Sequence, residues 1–93
     1  MAMYETQEAK SLIPEDIRPV LWFMLQELND PSPHHCFELT MANSDNESRQ
    51  HIIHTQKNTK YHREFSFKCT APITMSVYII GFGNDDWLML MRP

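Results

Sequence analysis

Five histidines, two cysteines and twelve acidic side chains are the groups in this chain that could do chemistry. A metal centre would need several histidines or cysteines converging. His51-x-x-His54 has the spacing that works on one helix face, but a strand sends residues an odd number apart to opposite faces. His34-His35-Cys36 has no second cluster at a zinc-site spacing, and no C-x-x-C occurs. A nucleophile–base pair of Cys36 or Cys69 with a histidine is a combination that any chain of this composition offers. Gly81-Phe82-Gly83 neither completes a dinucleotide fingerprint nor precedes a helix, so it is no phosphate cradle. Asp85 and Asp86 read as solvated turn acids. The chain therefore offers no catalytic residue, no metal ligand set and no cofactor site, and an enzyme is not expected.

The elements that would position such groups are legible in part. The chain has 93 residues, 12 acids against 8 bases, a formal charge of −4 and 42% hydrophobic residues. That is one globular domain, without room for a second core. The N-terminus lacks an apolar h-region, and the longest apolar run is Val20–Leu25. Neither a signal peptide nor a spanning helix is expected, and cytoplasmic thiols follow as the default. Parity separates Cys36 from Phe37 and Leu39, but aligns Cys69 with Phe65 and Phe67, so the two thiols are expected unlinked.

Pro14 to Asn29 is the main predicted helix, because Ile17, Leu21, Met24, Leu25 and Leu28 share one arc at 100° per residue. Pro14 suits its first position, with Glu15 and Asp16 at the positive end of the dipole. Pro19 implies either a kink or a restart after a Pro14–Arg18 turn. Asn29-Asp30-Pro31-Ser32-Pro33 stops the helix, and the period then changes to two. Predicted strands run over Cys36–Met41, Arg49–Gln56, Tyr61–Cys69, Ile73–Ile80 and Trp87–Met91, with turns at Lys57–Lys60 and Gly81–Asp86. Residues 1–12 read as an arm or edge strand, and 13–93 as a single α+β domain. The expected architecture is a mostly antiparallel sheet of about five strands with one main helix packed on one face. Short connections admit antiparallel neighbours only.

Two surfaces exceed what one helix on one sheet face can hide. Phe23 lies about 200° round the helix from Leu21, and Trp22 about 100°. Trp87-Leu88-Met89-Leu90-Met91 is apolar on both faces, so either the sheet is covered twice or one face meets another molecule. Trp22, Phe23 and Trp87 are thus candidate partner-binding residues, since aromatic side chains are enriched at interface cores. Charge is uneven as well: residues 1–33 carry six acids and two bases, whereas 34–72 carry four acids and five bases. Within that basic stretch Arg49, His51, Lys57 and Lys60 are candidates for docking an acidic protein. The overall acidity argues against general nucleic-acid binding.

The order of segments resembles a known group. Ile13-Pro14-Glu15-Asp16-Ile17 leading into Leu21-Trp22 and Leu25…Leu28, then Cys36-Phe37-Glu38-Leu39, His54-Thr55-Gln56, Tyr61 and Glu64-Phe65-Ser66-Phe67 resemble small uncharacterised proteins of the domain-of-unknown-function series. These occur in low-GC Gram-positive bacteria and their phages and plasmids. Pro19 and the polar N-terminal stretch depart from the pattern. The resemblance implies a bacterial or mobile-element origin and an α+β fold, and it transfers no catalytic residue.

Taken together, the expectation is a small non-enzymatic protein that binds another protein, with no membrane partner. In a mobile-element setting this extends to an anti-defence inhibitor of a host nuclease, with Glu5, Glu8, Glu15, Asp16, Glu27 and Asp30 standing in for phosphates. Two alternatives remain beside it. One is a small histidine/cysteine-dependent enzyme or metal-binding protein, and the other a structural homodimer that consumes Phe23 and the C-terminal strand.

Overall fold

The computed structural model describes residues 1–44 and 46–93. Its elements run β1 (Ala2–Glu5), α1 (Gln7–Leu12), α2 (Arg18–Gln26), β2 (His34–Ser44), β3 (Glu47–Gln56), β4 (His62–Lys68), β5 (Met75–Gly81) and β6 (Asp86–Leu90). The result is α+β and mostly sheet, with six strands rather than five and two short helices rather than one main helix.

The prolines explain the divided helix. Pro14 O accepts from the amides of Ile17 and Arg18 at 3.0 and 3.1 Å, which closes a turn instead of opening a long helix. Helix α2 then starts at Arg18, with Pro19 in its first turn, where a missing N–H forfeits no intrahelical bond. Of the two readings of Pro19, the restart is the one observed. Helix α1 occupies part of the stretch that periodicity could not assign. Thr6 caps it, its hydroxyl accepting from the Ala9 amide at 3.1 Å, a bond worth about 1 kcal/mol at a helix start.

Strand order across the sheet is β1-β6-β5-β2-β3-β4. The β2–β3, β2–β5, β3–β4 and β5–β6 pairs are antiparallel, whereas β1 lies parallel to β6, Met3 opposite Trp87 and Glu5 opposite Met89. The rule that short loops admit only antiparallel neighbours fails at this one pair. Nearly the whole chain separates β1 from β6, so the crossover that a parallel pair requires is available. The turns use residues that tolerate positive φ: Asn46 (66°), Asn58 (61°) and Asn84 (54°).

Alternation sorts the strands into two faces. One face carries His35, Phe37 and Leu39 of β2, Gln50, Ile52 and His54 of β3, Val77 and Ile79 of β5, and Trp87 and Met89 of β6, all buried. The apolar members share a single cluster with Ala9 of α1 and Leu21, Trp22, Met24 and Leu25 of α2. No described side chain of the other parity in the sheet is fully buried. Cys69 joins the core and Cys36 points the other way, both as free thiols.

Candidate partner-binding face

The register builds the less buried face in rows. Tyr4 lies opposite Leu88, Leu88 opposite Ile80, and Ile80 opposite His34. The adjacent row runs Leu90–Tyr78–Cys36–Thr55–His62. Directly opposed side chains in a sheet are neighbours, so Tyr4, Leu88, Ile80, Leu90 and Tyr78 form one continuous apolar area. Phe82 extends it, its ring 6.1 Å from that of Tyr4. Tyr4 and Phe82 are 51% and 56% exposed.

Further along the strands the same face turns polar and satisfies itself. Glu38 accepts from Ser76 Oγ at 2.8 Å and from Cys36 Sγ at 3.3 Å. His51 Nε2 lies 3.0 Å from Glu64 Oε1. Burial and Glu38 push the Cys36 thiol up to about 11, so it stays protonated at neutral pH and is a poor nucleophile.

The residues singled out from sequence do not form one patch. Trp22 and Trp87, 6% and 7% exposed, are core residues and offer a partner no outer surface. Trp22 is covered because β1 brings Glu5 to its indole: Nε1 donates to Glu5 Oε2 at 2.9 Å, while Arg18 Nε pairs with Glu5 Oε1 at 3.2 Å. Trp87 Nε1 donates to Asp85 Oδ1 at 3.2 Å, and its ring meets His35 edge-on at 5.7 Å. Phe23 remains 57% exposed, on α2. Arg49 is taken up by Glu47 at 2.9 Å and by Ser66, and His51 by Glu64. Lys57 and Lys60 are exposed and enter no ion pair among the described residues. The open apolar row itself was visible from sequence only as Leu88 and Leu90. Tyr4, Phe82, Tyr78 and Ile80 join it through strand order, for which a single sequence carries no signal.

A buried histidine pair also escaped the sequence reading. His35 Nδ1 lies 3.0 Å from His54 Nε2, and His35 Nε2 lies 2.6 Å from the Ser32 carbonyl. The carbonyl can only accept, so His35 Nε2 carries its proton. A neutral His35 then accepts at Nδ1, and His54 donates from Nε2. His54 Nδ1 is left as a buried lone pair with no partner among the described residues. Protonating it would bury an unpaired N–H. His54 stacks on Phe37 at 4.2 Å and meets Tyr61 edge-on. Burial, reinforced by His35 and Arg63, holds its pKa down to about 3, and burial likewise lowers that of His35. A base so reluctant to take a proton is a core residue rather than a proton shuttle. The signal available was parity, since His35 and His54 alternate with Phe37 and Ile52. His51 and His54 fall on opposite faces, and no group of three or more metal-ligating side chains occurs among the described residues.

The fold and the face together define an α+β protein with a six-stranded mixed sheet. No family model and no curated protein matches the chain. Among solved structures it is similar to a crystal structure of a protein of unknown function from Enterococcus faecalis, with a TM-score of 0.68 and 11% identity over 98% of this chain and 87% of that one. That likeness establishes the fold. Its source, a low-GC Gram-positive bacterium, is consistent with the resemblance drawn from the sequence.

Proposed function

We propose that the chain is a small non-enzymatic protein-binding module, acting in the cytoplasm, and that its partner seats on the apolar half of the sheet face built from β1, β6 and β5. The observation that carries this reading is the row Tyr4–Leu88–Ile80 beside Leu90–Tyr78, left at the surface with Phe82. Contiguous apolar area of this kind, rimmed by polar residues, marks interaction sites more often than scattered single residues do. On α2 itself Phe23 is the single exposed large apolar side chain among the described residues, which makes the sheet face the stronger candidate.

The setting we propose is a bacterial phage or other mobile element, supported by the sequence resemblance. Phosphate mimicry has less to work with. Of the six acids such a role would use, Glu5 is held by Arg18 and Trp22, and Glu27 by Arg63. The proposal therefore rests on apolar contact rather than on an acidic surface.

The test compares partners captured from lysate of the cells that encode the protein. A Tyr4→Ser/Phe82→Ser chain should lose a specific partner that the wild type and a Phe23→Ser chain retain, with all three equally folded by circular dichroism. Retention by the double variant, with loss by Phe23→Ser, would move the interface to α2. Sedimentation of the purified chain at micromolar concentration separates a second copy from a foreign partner.

A further inference from the structure

At the margin of that face, where β5, β2 and β3 end together, a cavity of about 310 Å³ is lined by His34, Cys36, Thr55, Lys57, Tyr78 and Ile80, with Pro93 at its side. This is at the small end of the range for small-molecule sites. Its walls follow from the register. Thr55, Cys36 and Tyr78 stand in one row across three strands, His34 and Ile80 in the next, and the Lys57 amide donates to His34 O at 3.0 Å, which brings the turn alongside.

The lining divides by chemistry. Tyr78 and Ile80 give an apolar wall, and Cys36, protonated at neutral pH, adds no charge. The Lys57 ammonium and the His34 imidazole stand at the end of the sheet. Lys57 pairs with no carboxylate among the described residues, unlike Arg49, Arg63 and Lys68, each of which has an acidic partner. The nearest acid along β2 is Glu38, two residues beyond Cys36 and already engaged by Ser76 and Cys36. A ligand here therefore meets one cationic group, the Lys57 ammonium, at one end and apolar surface at the other, in a protein whose net charge is −4.

We propose that this cavity binds a small monocarboxylic acid with an apolar body, its carboxylate beside the Lys57 ammonium and its body against Tyr78 and Ile80. Tyr78 and Ile80 also belong to the docking face, but a small acid needs no macromolecular partner, so binding to the purified chain is read separately from partner capture. Thr55, which also lines the cavity, carries a hydroxyl able to donate to a carboxylate oxygen. One cation that is largely solvated contributes modestly, so the apolar wall supplies most of the affinity and Lys57 selects the charge.

Sodium cinnamate and its uncharged isostere cinnamamide are suitable probes, titrated into the full chain and followed by two-dimensional amide NMR. The expected result is saturable shifts at Thr55, Lys57, Tyr78 and Ile80 with the acid, and binding of the amide weaker by about threefold to fivefold. Lys57→Gln lies at an exposed turn position and leaves the core untouched. It should lower affinity for the acid to that for the amide while leaving the amide unchanged. Equal binding of acid and amide, an unaltered acid affinity in Lys57→Gln, shifts confined to other residues, or no saturable shift at millimolar probe would each overturn the proposal.

Discussion

Gln50 shows how a single polar side chain can be indispensable without being functional. It is fully buried, yet its amide is engaged at both ends: the two Nε2 N–H groups are shared among the carbonyls of Thr40, His51 and Ile73, and Oε1 accepts from the Ile73 amide at 2.8 Å. The loop before β5 is tied to β3 through this one residue. Gln50→Leu keeps the volume but strands the amide and carbonyl of Ile73, and should cost about 2 kcal/mol in urea unfolding, against a few tenths for an exposed site such as Thr74→Ala. His54 makes a second residue-scale prediction. The groups around it are His35 of β2, Arg63 of β4, Tyr61 and the Phe37 ring. The unfolded chain takes up this proton near the ordinary 6.5, the folded chain only near 3. Between those values the unfolded state binds more protons, so stability is full above 6.5 and falls as the pH drops, by about 1.4 kcal/mol per unit for this one group. His35, lowered for the same reason, acts in the same direction. Urea midpoints measured from neutral to pH 4 should show the decline, and His54→Leu should make it shallower. Neither residue was legible as special: one sequence shows that Gln50, His35 and His54 have core parity, but the groups that satisfy them come from distant strands.

At the scale of elements, local pattern located what depends on local pattern. The 3.6 period found Leu21, Met24 and Leu25 in the core, and the alternation found Phe37, Leu39, Val77 and Ile79. Period alone placed Trp22 off the core stripe, because its cover is supplied by β1, whose partner strand lies at the opposite end of the chain. The same non-local pairing added the sixth strand. Glu5 is the joint between β1 and α2, accepting from Trp22 and pairing with Arg18, which itself donates to the carbonyls of Lys10 and Ile13. Glu5→Ala leaves the half-buried Arg18 without its carboxylate and the indole N–H without an acceptor. It should cost about 2 kcal/mol and raise amide exchange along Ala2–Glu5 and its neighbour β6 more than in β3. Protection unchanged in β1 would show that backbone pairing alone holds the strand. Gly81 joins β5 to the closing turn under the Trp87 ring, where a Cβ would stand 3.0 Å from the ring carbons. Gly81→Ala must push that ring aside and should destabilise the chain by about 1–3 kcal/mol in the same assay.

For the whole molecule, the asymmetry between its two sheet faces is the feature on which the proposed function rests. On one face the buried strand residues share a single cluster with buried residues of both helices, while the other passes from a self-satisfied polar end at Glu38, His51 and Glu64 to an apolar end at Tyr4, Leu88, Ile80 and Phe82. The excess of apolar side chains was readable in the sequence, and two of its members, Trp22 and Trp87, turn out to be consumed by the core. Among the described residues Tyr4 and Phe82 stand exposed beside the half-buried row of β5 and β6, while Met1, Met3, Leu12, Phe23, Met41 and Phe65 are exposed elsewhere. Among the described residues no helix is long and apolar enough to cross a membrane. The decisive measurement is photo-crosslinking in the cells that encode the protein, with a photoreactive phenylalanine analogue at Phe82 or, in a separate chain, at Phe23. A discrete adduct from position 82, weak or missing from position 23, is the predicted result. Its mass identifies the partner, or a second copy of the chain if it is twice the protomer. An adduct from position 23 with none from position 82 would contradict the assignment of the sheet face as the site where this protein meets its partner.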